Sequence, residues 1–217
     1  MLTLSNKIST IICHSINITG EKKQVIEYGM IALVQTVLFV LAVFIAGIFT
    51  GTAFAALIIC FSTSILRKSS GGVHVSSINI CTIIGVAFCL LASVLIRYVL
   101  VVWISLFGLG LLAIICYALA FIVIYLKAPM DTKNKPINTL KKKKRLRKSC
   151  YIILGAYAFI TVMLIYLSYQ FEMTTTYALC ILFGLMWQIL TLTRIGSKLI
   201  GGLDKGMSMT WKALKLL

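Results

Sequence analysis

The chain has 217 residues, 60% of them hydrophobic, and a mean hydropathy of +1.03. A soluble domain is nearer roughly 45–50% apolar, so the composition excludes an ordinary soluble enzyme and points to a lipid-embedded core. The net charge of +16, from 21 Lys and Arg against 5 Asp and Glu, reads as basic loops held against anionic membrane lipid. It does not read as nucleic-acid binding, because no soluble basic face carries base-reading or stacking groups.

Residues 2–17 place Leu4, Ile8, Ile11, Ile12 and Ile16 at helical spacing, with Asn6 and Thr10 opposite. This pattern predicts an amphipathic helix lying on the membrane surface, within an N-terminal segment spanning 1–23. The same residues lack the basic start, apolar block and small-residue cleavage site of a signal peptide, so no cleavable leader is expected. A first span is predicted from about Tyr28 to Phe49, roughly 33 Å of helix against the ~30 Å hydrocarbon core. Gly47 and Gly51 permit a tight turn into a shorter second span, about Thr52 to Leu66.

A polar interruption follows, Arg67-Lys-Ser-Ser-Gly-Gly-Val-His74, before a third span from about Ile78 to Ile96. Arg97-Tyr98 is taken as the break before a fourth span, about Val99 to Leu126. Residues 127–148 form the one substantial hydrophilic loop, with Pro129, Pro136 and ten basic residues. A fifth span (about Tyr151 to Leu167), a short turn, a sixth span (about Thr174 to Leu192) and a basic tail over 194–217 complete the chain. The predicted fold is all-α and integral to the membrane: a single multi-pass unit of six transmembrane helices, an N-terminal amphipathic helix and a basic cytoplasmic loop.

Loop charge sets the orientation. With both termini inside, every Lys and Arg except Arg97 lies on the cytoplasmic side, as the positive-inside rule favours. His74 then sits at the cytoplasmic surface, and Cys81 lies up to about two turns into the membrane edge.

The seven cysteines are irregularly spaced and none forms a CxxC pair. Neither a disulfide framework nor a metal cluster is suggested, and no cofactor is expected. Most read as small packing residues. Cys81 differs in its company: His74, Arg67 and Lys68 are basic neighbours that favour a thiolate, and an imidazole can take up the thiol proton. On one continuous helix the two side chains would stand about 10.5 Å apart along the axis, too far for proton transfer over ~3 Å. A Cys81–His74 pair therefore requires that the segment between Val73 and Ile78 not be a straight helix, with Gly71-Gly72 letting the chain fold His74 back over the start of the third span, or else a Cys81 supplied by another subunit.

Two motifs carry a resemblance. Arg67-x4-Gly72-x-His74-x6-Cys81 follows the second span, and Lys127-Ala128-Pro129-x-Asp131-Thr132-Lys133-Asn134-Lys135-Pro136 precedes a Lys-rich run. In these motifs, and in its length, amphipathic start, spans and basic loop, the chain resembles the accessory gene regulator B family. These are membrane peptidases of Gram-positive quorum sensing. The resemblance implies a bacterial cell-membrane cysteine endopeptidase that removes the C-terminal segment of an autoinducer-peptide precursor. The remainder would stay as an acyl-thioester on Cys81 until a cysteine or serine of the precursor closes a thiolactone or lactone. Cys81 would be the nucleophile and His74 the general base, with Arg67 and Gly72 supporting them, and the family suggests a homodimer. Lys141, Lys142, Lys143 and Lys144 read first as a topology anchor and second as a docking site for an acidic precursor tail. The rival readings are a non-enzymatic exporter or transporter subunit for a small peptide, and a membrane acyltransferase using the same Cys–His pair. Transporters place ionisable groups or broken helices at midplane, whereas these spans are almost free of charge.

Overall fold

The computed structural model describes residues 21–73, 78–130 and 139–214, and all regular structure among them is helical. In chain order the helices are α1 (Glu21–Phe49), α2 (Ala53–Ser70), α3 (Ile78–Leu95), a π-helical turn (Ile96–Leu100), α4 (Val101–Trp103), α5 (Leu106–Lys127), α6 (Leu140–Leu167), α7 (Glu172–Thr191) and α8 (Arg194–Leu214).

Five stretches are long and apolar enough to cross a membrane: Ala53–Ser70, Asn79–Trp103, Leu106–Lys127, Leu140–Leu167 and Glu172–Thr191. In α1 the apolar stretch Leu33–Phe49 is shorter. Large apolar side chains such as Phe54, Leu91, Phe107, Ile114 and Phe159 cover the outside of the bundle. That pattern suits lipid and would be costly in water.

The bundle is organised around α7. Of its span 61% is buried inside the protein, against 39% for α2 and no more than 28% for the others. It packs on α2, α3, the π turn, α5, α6 and α8. Small residues make its approach to α2 close: a Cβ at Gly184 would stand 2.8 Å from Ser62 Cβ and 2.9 Å from the Ile59 carbonyl oxygen. Thr63 donates a hydrogen bond to the Gly184 carbonyl at 3.1 Å. Trp187 of α7 stacks on Phe88 of α3 with ring centroids 4.0 Å apart. Polar pairs tie the remaining helices: Tyr157 of α6 donates to the Ser62 carbonyl at 2.9 Å, and Tyr117 and Thr161 hydroxyls bond at 2.8 Å between α5 and α6. Without a hydrophobic drive between helices in lipid, such packing and hydrogen bonds are what hold them together.

The α1–α2 hairpin turns at Gly51, where φ is +69°. Thr52 N–H donates to the Gly47 carbonyl at 2.8 Å, and the Thr52 and Ser93 hydroxyls bond at 2.9 Å, pinning the turn to α3. Gly85 is filled from within, since a Cβ there would stand 2.9 Å from the Phe39 ring of α1.

Two boundaries differ from the sequence expectation. The helix does not break at Arg97, which lies in the π turn. The chain bends at Ile104-Ser105, where Ser105 caps α5 by accepting from Gly108 N–H at 3.1 Å. A π turn absorbs one extra residue without interrupting the helix, and one arginine near its end is not enough to stop it. The second difference is the basic loop. Leu140 already begins α6, so the run from Lys141 to Lys148 forms its first turns. Thr139 caps this helix by accepting from Lys142 N–H at 3.3 Å, and Lys and Arg are good helix formers.

Candidate active site

The C-terminal end of α2 is shaped by its last polar residues. The Ser70 hydroxyl folds back to the Leu66 carbonyl at 2.9 Å, and Gly71 N–H closes on the Arg67 carbonyl at 2.9 Å. The helix then ends abruptly, because Gly71 has φ +73° and Gly72 has φ +146°. Both values lie where a Cβ is strongly disfavoured, so only glycine holds them without strain. α2 therefore stops at a sharp corner at Gly71-Gly72, while residues 74–77, whose path decides the His74–Cys81 separation, lie outside the described residues.

Five groups clamp this corner. The Arg67 guanidinium reaches forward and donates to the Val73 carbonyl at 2.6 Å. From α7, the Gln188 amide donates to the Ser70 hydroxyl at 2.9 Å and to the Gly71 carbonyl at 2.7 Å. Val73 N–H points at the Thr191 carbonyl, 3.4 Å away. Thr191 and Gln188 side chains also close the space beside Gly72, where a Cβ would stand 2.8 Å from Thr191 Oγ1. Lastly, the strap Ala128–Met130 that follows α5 lies across the corner. Met130 N–H donates to the Ser70 carbonyl at 2.8 Å, and a Cβ on Gly71 would meet the Met130 carbonyl oxygen at 2.7 Å.

The strap is buried at Ala128 and Pro129, with a cis Ala128–Pro129 peptide bond. It is held by Arg147 of α6, whose Nε donates to the Ala128 carbonyl at 3.0 Å. The described parts of the two motifs that carried the sequence resemblance, the end of α2 and the Ala128–Met130 strap after α5, therefore meet in space.

Helix resumes at Ile78, five residues beyond Val73, and Cys81 is the fourth residue of α3. Among the described cysteines Cys81 alone is half-buried; Cys60, Cys89, Cys116, Cys150 and Cys180 are all buried. The first turn of α3 also presents backbone N–H groups that have no acceptor within the helix. His74 lies outside the described residues, as do the amphipathic segment before residue 21 and Asp131 to Pro136. Lys141, Lys143 and Lys144 are exposed at the start of α6, with Lys142 half-buried, at the same end of the bundle as the corner.

Sequence reasoning singled out Arg67, Gly72, His74 and Cys81, and did not single out the corner contacts of Ser70, Gln188, Thr191, Met130 and Arg147. One signal was available for Gln188. An amide within an apolar span is costly unless it is hydrogen-bonded, and so marks a polar contact.

The family model described as accessory gene regulator B matches residues 5–192. This chain belongs to the accessory gene regulator B (AgrB) family. It is similar to two AgrB-like proteins of Clostridium perfringens, one from strain SM101 / Type A and one from strain 13 / Type A. Each is 37% identical over 203 residues, covering 93% of this chain and 95% of the relative. No solved structure matches.

AgrB is a peptidase family that processes autoinducer peptides in quorum sensing. The helices place this member in a membrane as a multi-pass protein. The AgrB match ends just after Thr191, the last residue of α7, so it takes in every clamp on the corner and leaves out α8. A peptidase family also leaves the exporter reading without support.

Proposed function

We propose that this AgrB chain is a cysteine endopeptidase that cleaves an autoinducer precursor through Cys81. His74 takes the proton from the Cys81 thiol, and the sulfur attacks the scissile carbonyl carbon. The carbon–nitrogen bond breaks, and His74 returns the proton to the amine of the departing C-terminal segment. The N-terminal part remains as a thioester on Cys81. A thiol or hydroxyl within that part then attacks the thioester carbonyl, its proton passing through His74 to the leaving Cys81 sulfur. The product is a thiolactone or lactone ring. A thioester conserves the acyl reactivity that ring closure needs, and a membrane-edge site limits competing water.

The observation that carries this reading is the placement of Cys81. It is a half-buried thiol in the first turn of the helix that follows a clamped Gly71–Gly72 corner. The backbone N–H groups of that first turn, which no carbonyl within the helix can take, suit the oxyanion of the tetrahedral intermediate. Arg67 supports the corner through Val73, and Gly72 supports it by fitting beneath Thr191. In this reading α1 makes the sixth span, both termini and the site face the cytoplasm, and Lys141–Lys144 meet an acidic precursor tail while basic segments lie on anionic lipid. A homodimer would use the outer face of α5 at Gly110, where a Cβ would find open space.

The test is precursor cleavage by membranes carrying Cys81→Ala or His74→Ala. Both variants should insert normally and neither should cleave. Cleavage by C81A at the wild-type rate would sink the proposal.

A further inference from the structure

A cavity of about 210 Å³ opens at the end of the bundle opposite Cys81. It lies between the α1–α2 turn, Arg97 of the π turn, and Met173 and Tyr177 of α7. α2 begins at this cavity and ends at the Gly71 corner, 18 residues later, or roughly 27 Å along the helix. The walls are fixed by the bonds that hold the turn. The Tyr98 hydroxyl donates to the Thr50 carbonyl at 3.1 Å. The Thr52 hydroxyl is taken up between those of Thr50, at 2.7 Å, and Ser93, at 2.9 Å. Thr52 therefore stands at the start of α2 without capping it. The N–H groups of Ala53, Phe54 and Ala55 have no acceptor within the helix, and all three residues line the cavity.

Arg97 is the only Lys or Arg between Lys68 and Lys127. A cation in so apolar a stretch is costly and marks a function. It also sits on a π turn, a distortion frequent at functional sites. An arginine that merely snorkelled to the surrounding headgroups would need no walls. Here a guanidinium, a phenol and backbone N–H groups border one walled space, and none of its lining residues is acidic. Glu172, one residue before Met173, is exposed and does not line it. Such a set of donors suits an anion. The volume falls below the roughly 300–1,000 Å³ of pockets that enclose drug-sized ligands, so it suits a headgroup and not a whole peptide. Two lining residues, Ile48 and Phe54, are 56% and 72% exposed. The cavity thus opens beside apolar surface, which a free phosphate would leave unused and an acyl chain would cover.

We propose that this cavity binds a glycerophospholipid, its phosphate held by Arg97, the Tyr177 hydroxyl and the start of α2, and its acyl chains lying along Ile48 and Phe54. The planar guanidinium fork matches two phosphate oxygens at once. A lipid held there bridges the α1–α2 turn, the π turn and α7, and stabilises the folded bundle by mass action. The site uses none of the proposed catalytic residues, so it stands or falls separately from the chemistry at Cys81.

The experiment uses the full-length protein in neutral detergent, titrated with phosphatidylglycerol and, separately, with inorganic phosphate. Native mass spectrometry reads the bound lipid for wild type, R97Q, Y177F and K198Q. Lys198 is exposed on α8, at the other end of the bundle, and controls for non-specific attraction to charge. The expected result is a tightly held phosphatidylglycerol whose affinity falls about 10-fold or more in R97Q, as the loss of charge-assisted hydrogen bonds dictates. Y177F should weaken it about 3-fold, and K198Q should leave it unchanged. Lipid affinity in R97Q equal to wild type overturns the inference, as does an equal loss in K198Q. Inorganic phosphate that binds as tightly as the lipid, or displaces it, also overturns it, since the acyl chains would then contribute nothing. Should R97Q not fold, Y177F reads the same site, and a Y177F affinity matching wild type overturns the inference.

Discussion

Replacing Gly72 with alanine is the sharpest mutational test of the corner. The backbone there has φ +146°, and holding an alanine in such a region costs about 1–3 kcal/mol. The new Cβ would also lie 2.8 Å from Thr191 Oγ1 and 3.4 Å from Gln188 Nε2. Thr191 is not free to swing away, because its hydroxyl donates to the Gln188 carbonyl at 2.7 Å. Giving up that bond costs a further ~0.5–1.5 kcal/mol. The sum is about 1.5–4.5 kcal/mol, concentrated on three residues at a helix end. The corner will relieve it by moving, since α7 is packed on six other elements and will not. At 1.36 kcal/mol per factor of ten, even the lower figure slows a reaction that needs the native corner by about 10-fold. Single-turnover cleavage of the autoinducer precursor in nanodiscs measures this directly, with helix content and membrane insertion as controls. G72A cleaving as fast as wild type would show that the corner geometry does not govern the chemistry.

Other consequences follow from the same contacts. Changing Lys141, Lys142, Lys143 and Lys144 together to Gln should raise KM for an acidic precursor by roughly 3–10-fold at low salt with kcat unchanged, and the effect should fade as ionic strength rises. An unchanged KM at low salt would return these lysines to a purely topological role. Gly184→Ala should destabilise the bundle by about 1–3 kcal/mol through overpacking, because its Cβ meets Ser62 and Ile59 of α2. The unfolding midpoint in SDS titration should drop while Cys81 alkylation in the folded protein stays the same. A variant as stable as wild type would refute the close α2–α7 contact.

Much of this architecture was legible in the sequence because membrane spans announce themselves by length and hydropathy alone. The turn at Gly51, the bend at Gly71-Gly72 and the candidate thiol at Cys81 were also within reach, since glycine and cysteine chemistry is local. What was not legible depended on tertiary partners. Arg97 reads as a break in any hydropathy scan, yet a π turn carries the helix past it to Trp103. The lysine run reads as loop because it is polar, but Thr139 caps it into α6. Gln188, Met130 and Arg147 gain their meaning only when α5, α6 and α7 deliver them to the end of α2. Contacts of such sequence separation leave no spacing to read.

The central claim is that the chain forms a thioester at Cys81. Incubating the nanodisc-embedded protein with precursor and measuring intact and peptide mass tests it most directly. The account predicts an adduct equal to the N-terminal part of the precursor, located on Cys81, released by neutral hydroxylamine and missing from C81A. Complete cleavage with no acyl adduct, or an adduct carried by one of the buried cysteines in its place, would contradict it.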